Sequence, residues 1–262
     1  MLNKLSFLIV LFCGISMCFS QKYHVLYKVS FRPKKENADM KTEYMRLETI
    51  AKSQSIFYKD SLSNLKQKEI PYLRFIITQK DNNYSYYGKF NDLYYVYNEA
   101  LERSWKIINK TSMYNDYKVQ EAQIEMDGRK WIAQFAPEIP ITSGPYKFSG
   151  LPGLILKIYS EDGDYSFEMV ELTKYSSESY LSLFQTSRYT KLKKKKVETF
   201  IANFLKDPGS QNFKLVNSYG DQFDYKFSGK RDNSYKDMNE YVKGVFEKYN
   251  NPIDKKIYIL IF

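Results

Sequence analysis

Between Pro137 and Gly163 the chain gathers four of its eleven glycines (Gly144, Gly150, Gly153, Gly163) and four of its eight prolines (Pro137, Pro140, Pro145, Pro152). Punctuation this dense rules out a helix or an uninterrupted strand there, so the backbone must turn repeatedly under tight geometric demand. In Leu151-Pro152-Gly153-Leu154 the proline suits the first central position of a type II turn and the glycine the second, where φ is positive. The turn feeds Leu154 to Tyr159, a β-branched and aromatic run closed by Asp162-Gly163, a strong hairpin signal. Leu151 and Leu154 are expected to fill a core while the turn sets the hairpin register. A phosphate-cradling loop is disfavoured, because Pro152 has no N–H and a strand follows where a helix would be needed.

The rest of the chain repeats the strand and turn pattern. Tyr23, Val25, Tyr27, Val29 and Phe31 alternate onto one side of a strand that ends before Pro33. Residues 36–52 carry both helical and strand periodicity, and spacing alone does not decide between them. Pro71 to Gln79 and Tyr84 to Lys89 flank one turn, and Leu93 to Tyr97 and Trp105 to Ile108 follow as strands. Tyr117 to Met126 and Arg129 to Phe135 flank Asp127-Gly128, a second Asp-Gly hairpin. Hairpins too close for crossover helices indicate an antiparallel meander. Two amphipathic helices then appear near the C-terminus. One carries Val197, Phe200, Ile201, Phe204 and Leu205 and stops at Pro208-Gly209; the other runs from Ser234 to Pro252 with Met238, Tyr241, Val242, Val245, Phe246 and Tyr249 on one stripe. Lys256 to Phe262 reads as a closing strand. The expected fold is mainly β (α+β): a curved antiparallel sheet, half-barrel or open barrel, with the helices over one side or mouth.

Lys4 followed by the apolar run Leu5 to Phe19 and by Ser20 reads as a secretory signal peptide, residues 1–20, leaving 21–262 as a single β-rich domain. The run is too short for a spanning helix, so no transmembrane span is expected in the mature chain. Both cysteines, Cys13 and Cys18, lie within it, which excludes disulfides and thiolate chemistry from the mature protein. The net charge of +10 loses only Lys4 on processing. Such a balance favours anionic surfaces, and export disfavours nucleic acid. Lys191, Lys193, Lys194, Lys195 and Lys196 form the densest cationic run; it opposes the dipole of the helix it opens, and marks a contact for an anionic envelope surface or a solvated face.

Catalytic machinery is hard to assemble from this inventory. The one histidine, His24, sits mid-strand opposite the apolar stripe, and no serine occupies a G-x-S-x-G elbow. Glu161, Asp162 and Asp164 cluster at a hairpin tip, as a solvated turn would or, less simply, a Ca²⁺ loop. No metal site and no cofactor are expected. Arg129 either pairs with a buried carboxylate or stacks on a ring, or is exposed.

The hexapeptide GLPGLI at Gly150 to Ile155, with Gly144-Pro145, Lys147-Phe148, Ile139-Pro140, Gly128-Arg129, Trp131 and Ala122 upstream, resembles the GLPGLI family of secreted Bacteroidota proteins. The resemblance extends from about Ser53 to Leu172; Val119 and Gln134 depart from it where the family often has a cysteine and a tryptophan. It implies a secreted, envelope-associated protein with no established biochemical activity. Asp127, Gly128, Arg129, Trp131, Gly144, Pro145 and Gly150 to Ile155 are then a structural motif of turn and hairpin. The expected function is a non-enzymatic binding or accessory module in the periplasm, at the outer membrane or secreted, with an outer-membrane transport or receptor protein or an anionic surface as partner. The alternative is a carboxylate-dependent hydrolase, peptidase or glycosidase-like.

Overall fold

The computed structural model describes residues 22–51, 53–61, 73, 75–90, 93–175, 177–206, 239–240, 243–244 and 248–255. The expected signal peptide and the expected closing strand from Lys256 to Phe262 lie outside them, as does most of the second expected helix.

Among the described residues twelve strands form one sheet. Those of the first meander are β1 (Lys22–Phe31), β2 (Lys41–Ala51), β3 (Gln54–Lys59), β4 (Ile76–Lys80), β5 (Asn83–Phe90) and β6 (Leu93–Ala100). The second contains β7 (Lys106–Tyr114), β8 (Tyr117–Met126), β9 (Arg129–Ala136), β10 (Leu154–Ser160) and β11 (Tyr165–Tyr175). A two-residue strand, β12 (Thr190–Lys191), is parallel to β6, and all other pairings are antiparallel. Residues 41–51 are strand, which resolves their dual periodicity: β2 is held by β1 on one edge and β3 on the other. After β11 come the short α1 (Tyr180–Leu183) and, beyond β12, α2 (Lys194–Lys206). The first expected helix is therefore present as α2, starting three residues before Val197.

The spatial order is β12-β6-β5-β4-β3-β2-β1-β11-β10-β9-β8-β7, so the two meanders meet where β1 pairs with β11. This order forces curvature. Strands β6 and β7 are consecutive in sequence yet ten strand spacings apart, about 48 Å if the sheet were flat. The connection Leu101 to Trp105 reaches at most about 20 Å. The sheet must therefore curl until its two flanks approach, which gives an open half-barrel. Two-residue turns support the hairpins, with Asp127 and Gly128 both at positive φ (55° and 78°) as an Asp-Gly turn of this kind requires.

Alternation places Val25, Tyr27, Val29, Met45, Leu47, Phe57, Ile77, Tyr86, Tyr97, Ala122, Trp131, Phe135, Ile158 and Phe167 in one buried inner core. At β10 the register slips around Leu156, an extra residue opposite β9. There the carbonyl of Ile155 accepts a hydrogen bond from the Tyr27 hydroxyl two strands away, at 2.7 Å.

Candidate functional site

Residues 137–153 connect β9 to β10 and pack into the concave side. Ile141, Tyr146, Phe148 and Leu151 are buried. Phe148 meets Trp131 of β9 at 4.7 Å and Phe167 of β11 at 6.0 Å, while Tyr146 meets Phe75, just ahead of β4, at 5.6 Å. The segment is thus a plug touching both meanders. It carries its own backbone bonds, with Gly150 N–H donating to Thr142 O at 2.9 Å and a bridge between Ser143 and Ser149. The expected type II turn is replaced by a tighter one: Gly153 N–H donates to Leu151 O at 2.9 Å, while Leu154 N–H, which would have closed the type II turn, donates to Ile139 O at 3.0 Å. The reason is the neighbouring strand end. Gly153 lies so close to β9 that a Cβ there would stand 2.2 Å from the carbonyl oxygen of Ala136.

The plug also delivers a charge. Lys147 is 1% exposed. Its Nζ lies 2.7 Å from Asp127 at the β8–β9 turn, 3.6 Å from Glu99 of β6 and 3.8 Å from buried Asp254 near the C-terminus. Glu99 also receives Lys194 of α2, at 2.5 Å. Burial works against the Lys194 charge, but the hydrogen bond and charge of Glu99 outweigh it and raise the pKa. Arg103, in the β6–β7 connection, donates to the Lys147 carbonyl and lies over the Tyr84 ring at 4.7 Å; burial lowers its pKa. Three carboxylates thus face three cations. Such a group is costly to bury, yet removal of one member leaves the others uncompensated. Tyr146 donates to Asp127 at 2.7 Å, and burial, then that carboxylate, pushes its phenol well up. The Trp105 indole N–H donates to Ser149 O at 2.7 Å, and the Tyr84 and Ser149 hydroxyls are hydrogen-bonded. Strands β5 and β6, paired with each other, are thus tied through the plug to the connection that leads into β7.

Arg129 organises a second buried centre. Its guanidinium contacts Asp162 at 2.5 Å and Asp164 at 3.0 Å, donates to Asn251 Oδ1 at 2.5 Å and to Pro252 O at 2.9 Å, and lies 4.9 Å over the Tyr165 ring. The buried-pair alternative therefore holds, and the exposed one does not. The hairpin-tip acids divide: Asp164 is buried against Arg129, whereas Asp162, also paired with Arg129, and Glu161, 3.7 Å from Lys130, are exposed as a solvated turn would have them. Burial opposes the Asp162 charge, but the Ser160 hydrogen bond and Arg129 hold its pKa below the ordinary value. Residues 250–255 complete this end of the molecule, with Lys255 N–H donating to Asp127 O at 3.0 Å.

The outer face has a different character. His24 of β1 stacks on Tyr175 at 3.8 Å and stands 3.7 Å from Glu48, itself 1% exposed. Burial lowers the His24 pKa, and Glu48 only partly offsets it. Both Glu48 oxygens accept the backbone N–H of Tyr180, at 3.0 and 3.1 Å, at the start of α1. Beside this, Arg46 pairs with Asp60 at 2.7 Å. Of the five lysines expected on a surface, Lys191, Lys193, Lys195 and Lys196 are exposed, while Lys194 turns inward to Glu99.

Chemically, the inner centres bind protein to protein: Lys147 and Arg129 are each paired with carboxylates of the same chain. A groove of about 470 Å³ near the ends of β7 to β9 is lined by Glu102, Lys106, Glu125, Lys130 and Glu161, none of them from the plug. Among the described residues no group of three or more His, Cys, Asp or Glu is placed to hold a metal ion, and no helix is long and apolar enough to cross a membrane. Sequence reasoning missed the roles of Glu48, Glu99 and Asp254. The one available signal for Lys147 was its position between two large aromatic residues in a segment expected to be buried.

The molecule is thus an open β half-barrel with a plugged concavity. Residues 91–157, from β6 to β10 and including the hexapeptide, match a family model described as "Protein of unknown function (Porph_ging)"; the GLPGLI name is not the one this match carries. No curated protein matches. Among solved structures, that of PNGF-II in its P21 space group is similar at a TM-score of 0.49 and 18% identity, covering 66% of this chain and 32% of that one. The chain therefore spans about a third of the length of that relative. A putative outer membrane lipoprotein-sorting protein domain from Vibrio parahaemolyticus is similar at a TM-score of 0.30 and 9% identity, covering 63% of this chain and 90% of that one. A LolA superfamily protein from Nitrosomonas europaea is similar at a TM-score of 0.32 and 7% identity, covering 64% of this chain and 92% of that one.

Proposed function

We propose that the chain is an exported cell-envelope protein whose residues 21–262 act as one non-enzymatic binding or accessory module, working beside an outer-membrane transport or receptor protein or on an anionic envelope surface. One observation carries this reading: the middle of the most punctuated segment, Ile141 to Ser149, is packed inside the fold, and its one charge, Lys147, is paired there. Asp127, Gly128, Arg129, Trp131 and Gly144 to Ile155 are then scaffold, and recognition falls to the exterior. The signal-like amino terminus supports export, and the matched family carries no stated activity. Fractionation of cells producing the tagged full chain is expected to place it in the envelope with an amino terminus at Gln21. The purified protein is expected to turn over nothing in peptide and glycan libraries.

The hydrolase reading keeps one observation in its favour, a buried glutamate beside the only histidine. Turnover abolished by Glu48→Gln would establish it and displace the binding module.

A further inference from the structure

Resting on the reading of the chain as a binding module, we propose that the outer face of β3, β5 and β6, with residues 179–196 laid over it, docks on an anionic lipid bilayer. A continuous ladder of rings crosses this face. Tyr58 stacks on Tyr180 at 4.2 Å, Tyr180 lies 6.0 Å from Phe184, and Phe184 meets Tyr87 at 4.9 Å. Tyr189 then joins Tyr87 at 5.0 Å to Tyr94 at 5.5 Å. These rings are half-buried where they touch the sheet, but the segment above them ends in apolar side chains that touch no core. Helix α1 buries no residue; Leu183 is 63% exposed and Tyr180 36%.

Core packing therefore does not explain why α1 is held in place, yet it is held firmly. Buried Glu48 takes its first N–H, and the Ser179 hydroxyl accepts from Leu181 N–H at 3.2 Å. A rigid mount for an outward leucine and tyrosine is the geometry of an interfacial anchor. Cations surround it. Arg188 lies 4.6 Å and Lys89 5.2 Å over the Tyr94 ring. From Gln185 to Val197 there are six Lys or Arg residues and no acid. Of these, Arg188, Lys191, Lys193, Lys195 and Lys196 are exposed. The acid preceding this stretch, Glu178, is engaged by the Ser182 hydroxyl at 2.9 Å. Aromatic rings at headgroup depth, an aliphatic side chain beyond them and a cationic rim fit a surface of lipid phosphates. A soluble acidic glycan would satisfy the cations but leave Leu183 without a partner.

Flotation of the processed chain with vesicles of phosphatidylethanolamine and phosphatidylglycerol, against vesicles of phosphatidylcholine alone, tests this. Binding is expected only to the anionic vesicles and weakens as salt rises. The triple variant Arg188→Glu, Lys191→Glu, Lys193→Glu is expected to bind at least about fivefold more weakly for each cation lost. Leu183→Ser is expected to weaken binding severalfold while leaving its salt dependence unchanged. Both variants should melt with the wild type, since each altered side chain is exposed. Vesicle binding that survives the triple variant, or binding to alginate without binding to vesicles, overturns the proposal. Failure to float by a chain that still fractionates with the envelope and turns over no substrate overturns the lipid contact alone; turnover overturns the reading beneath it.

Discussion

The two faces of this sheet use charge in opposite ways. On the inner face Lys147 and Arg129 are buried and surrounded by carboxylates from β6, two hairpin turns and the residues near the C-terminus. On the outer face rings are stacked in half-buried rows, and most nearby cations point to solvent. Where a sheet is too open to close by strand pairing, ions and a plug can join its flanks. On the outside, a short segment of rings and exposed cations lies over the strands and faces solvent.

The comparison breaks most readily at Lys147. Lys147→Ala leaves Asp127, Glu99 and Asp254 facing one another in the interior and should cost about 3–5 kcal/mol in urea or thermal unfolding; a cost under about 1 kcal/mol would show that the plug does not hold the flanks. Gly153→Val tests the same plug through its backbone. A side chain there meets the Ala136 carbonyl and a φ of +156°, so a loss of about 2–3 kcal/mol is expected from the same melts.

On the outer face effects should be smaller and tied to pH. Because burial lowers the His24 pKa, the unfolded chain binds more protons than the folded one just below about 6.5. The His24 contribution is therefore complete above that pH and is lost as pH falls through the window towards the folded value. Titration of its ring signals by NMR should give a value under 6.5, and Glu48→Gln should lower it further; a rise would contradict the pairing. Leu183→Ser should be nearly silent, within about 0.5 kcal/mol, because the side chain is mostly exposed and outside the core. A clear destabilisation there would make α1 part of the core and erase the contrast between the faces.

Local pattern revealed most of the sheet. Alternation and the Asp-Gly pairs located β1, β8 to β11 and their turns because each depends on neighbours a few residues away. Residues 36–52 stayed open because β2 is decided by two flanking strands, not by its own spacing. The true turn at Pro152 depends on Ala136 and Ile139, beyond any four-residue window. The inner centre was illegible for the same reason: Glu99, Asp127, Lys147 and Asp254 are scattered over more than half the chain, and only the closing of the sheet brings them together. Even the lysine run misled in one member, since nothing in KLKKKK distinguishes Lys194, which finds Glu99, from its exposed neighbours.

The position of β1 bears on how the protein is assembled. It comes first in sequence among the described strands and lies mid-sheet, and its second neighbour, β11, ends at Tyr175. Until that residue has been synthesised, β1 presents a bare ladder of N–H and C=O groups to any passing strand. The sheet therefore cannot be completed strand by strand in chain order, and one edge of β1 stays open to pairing with another copy until β11 arrives.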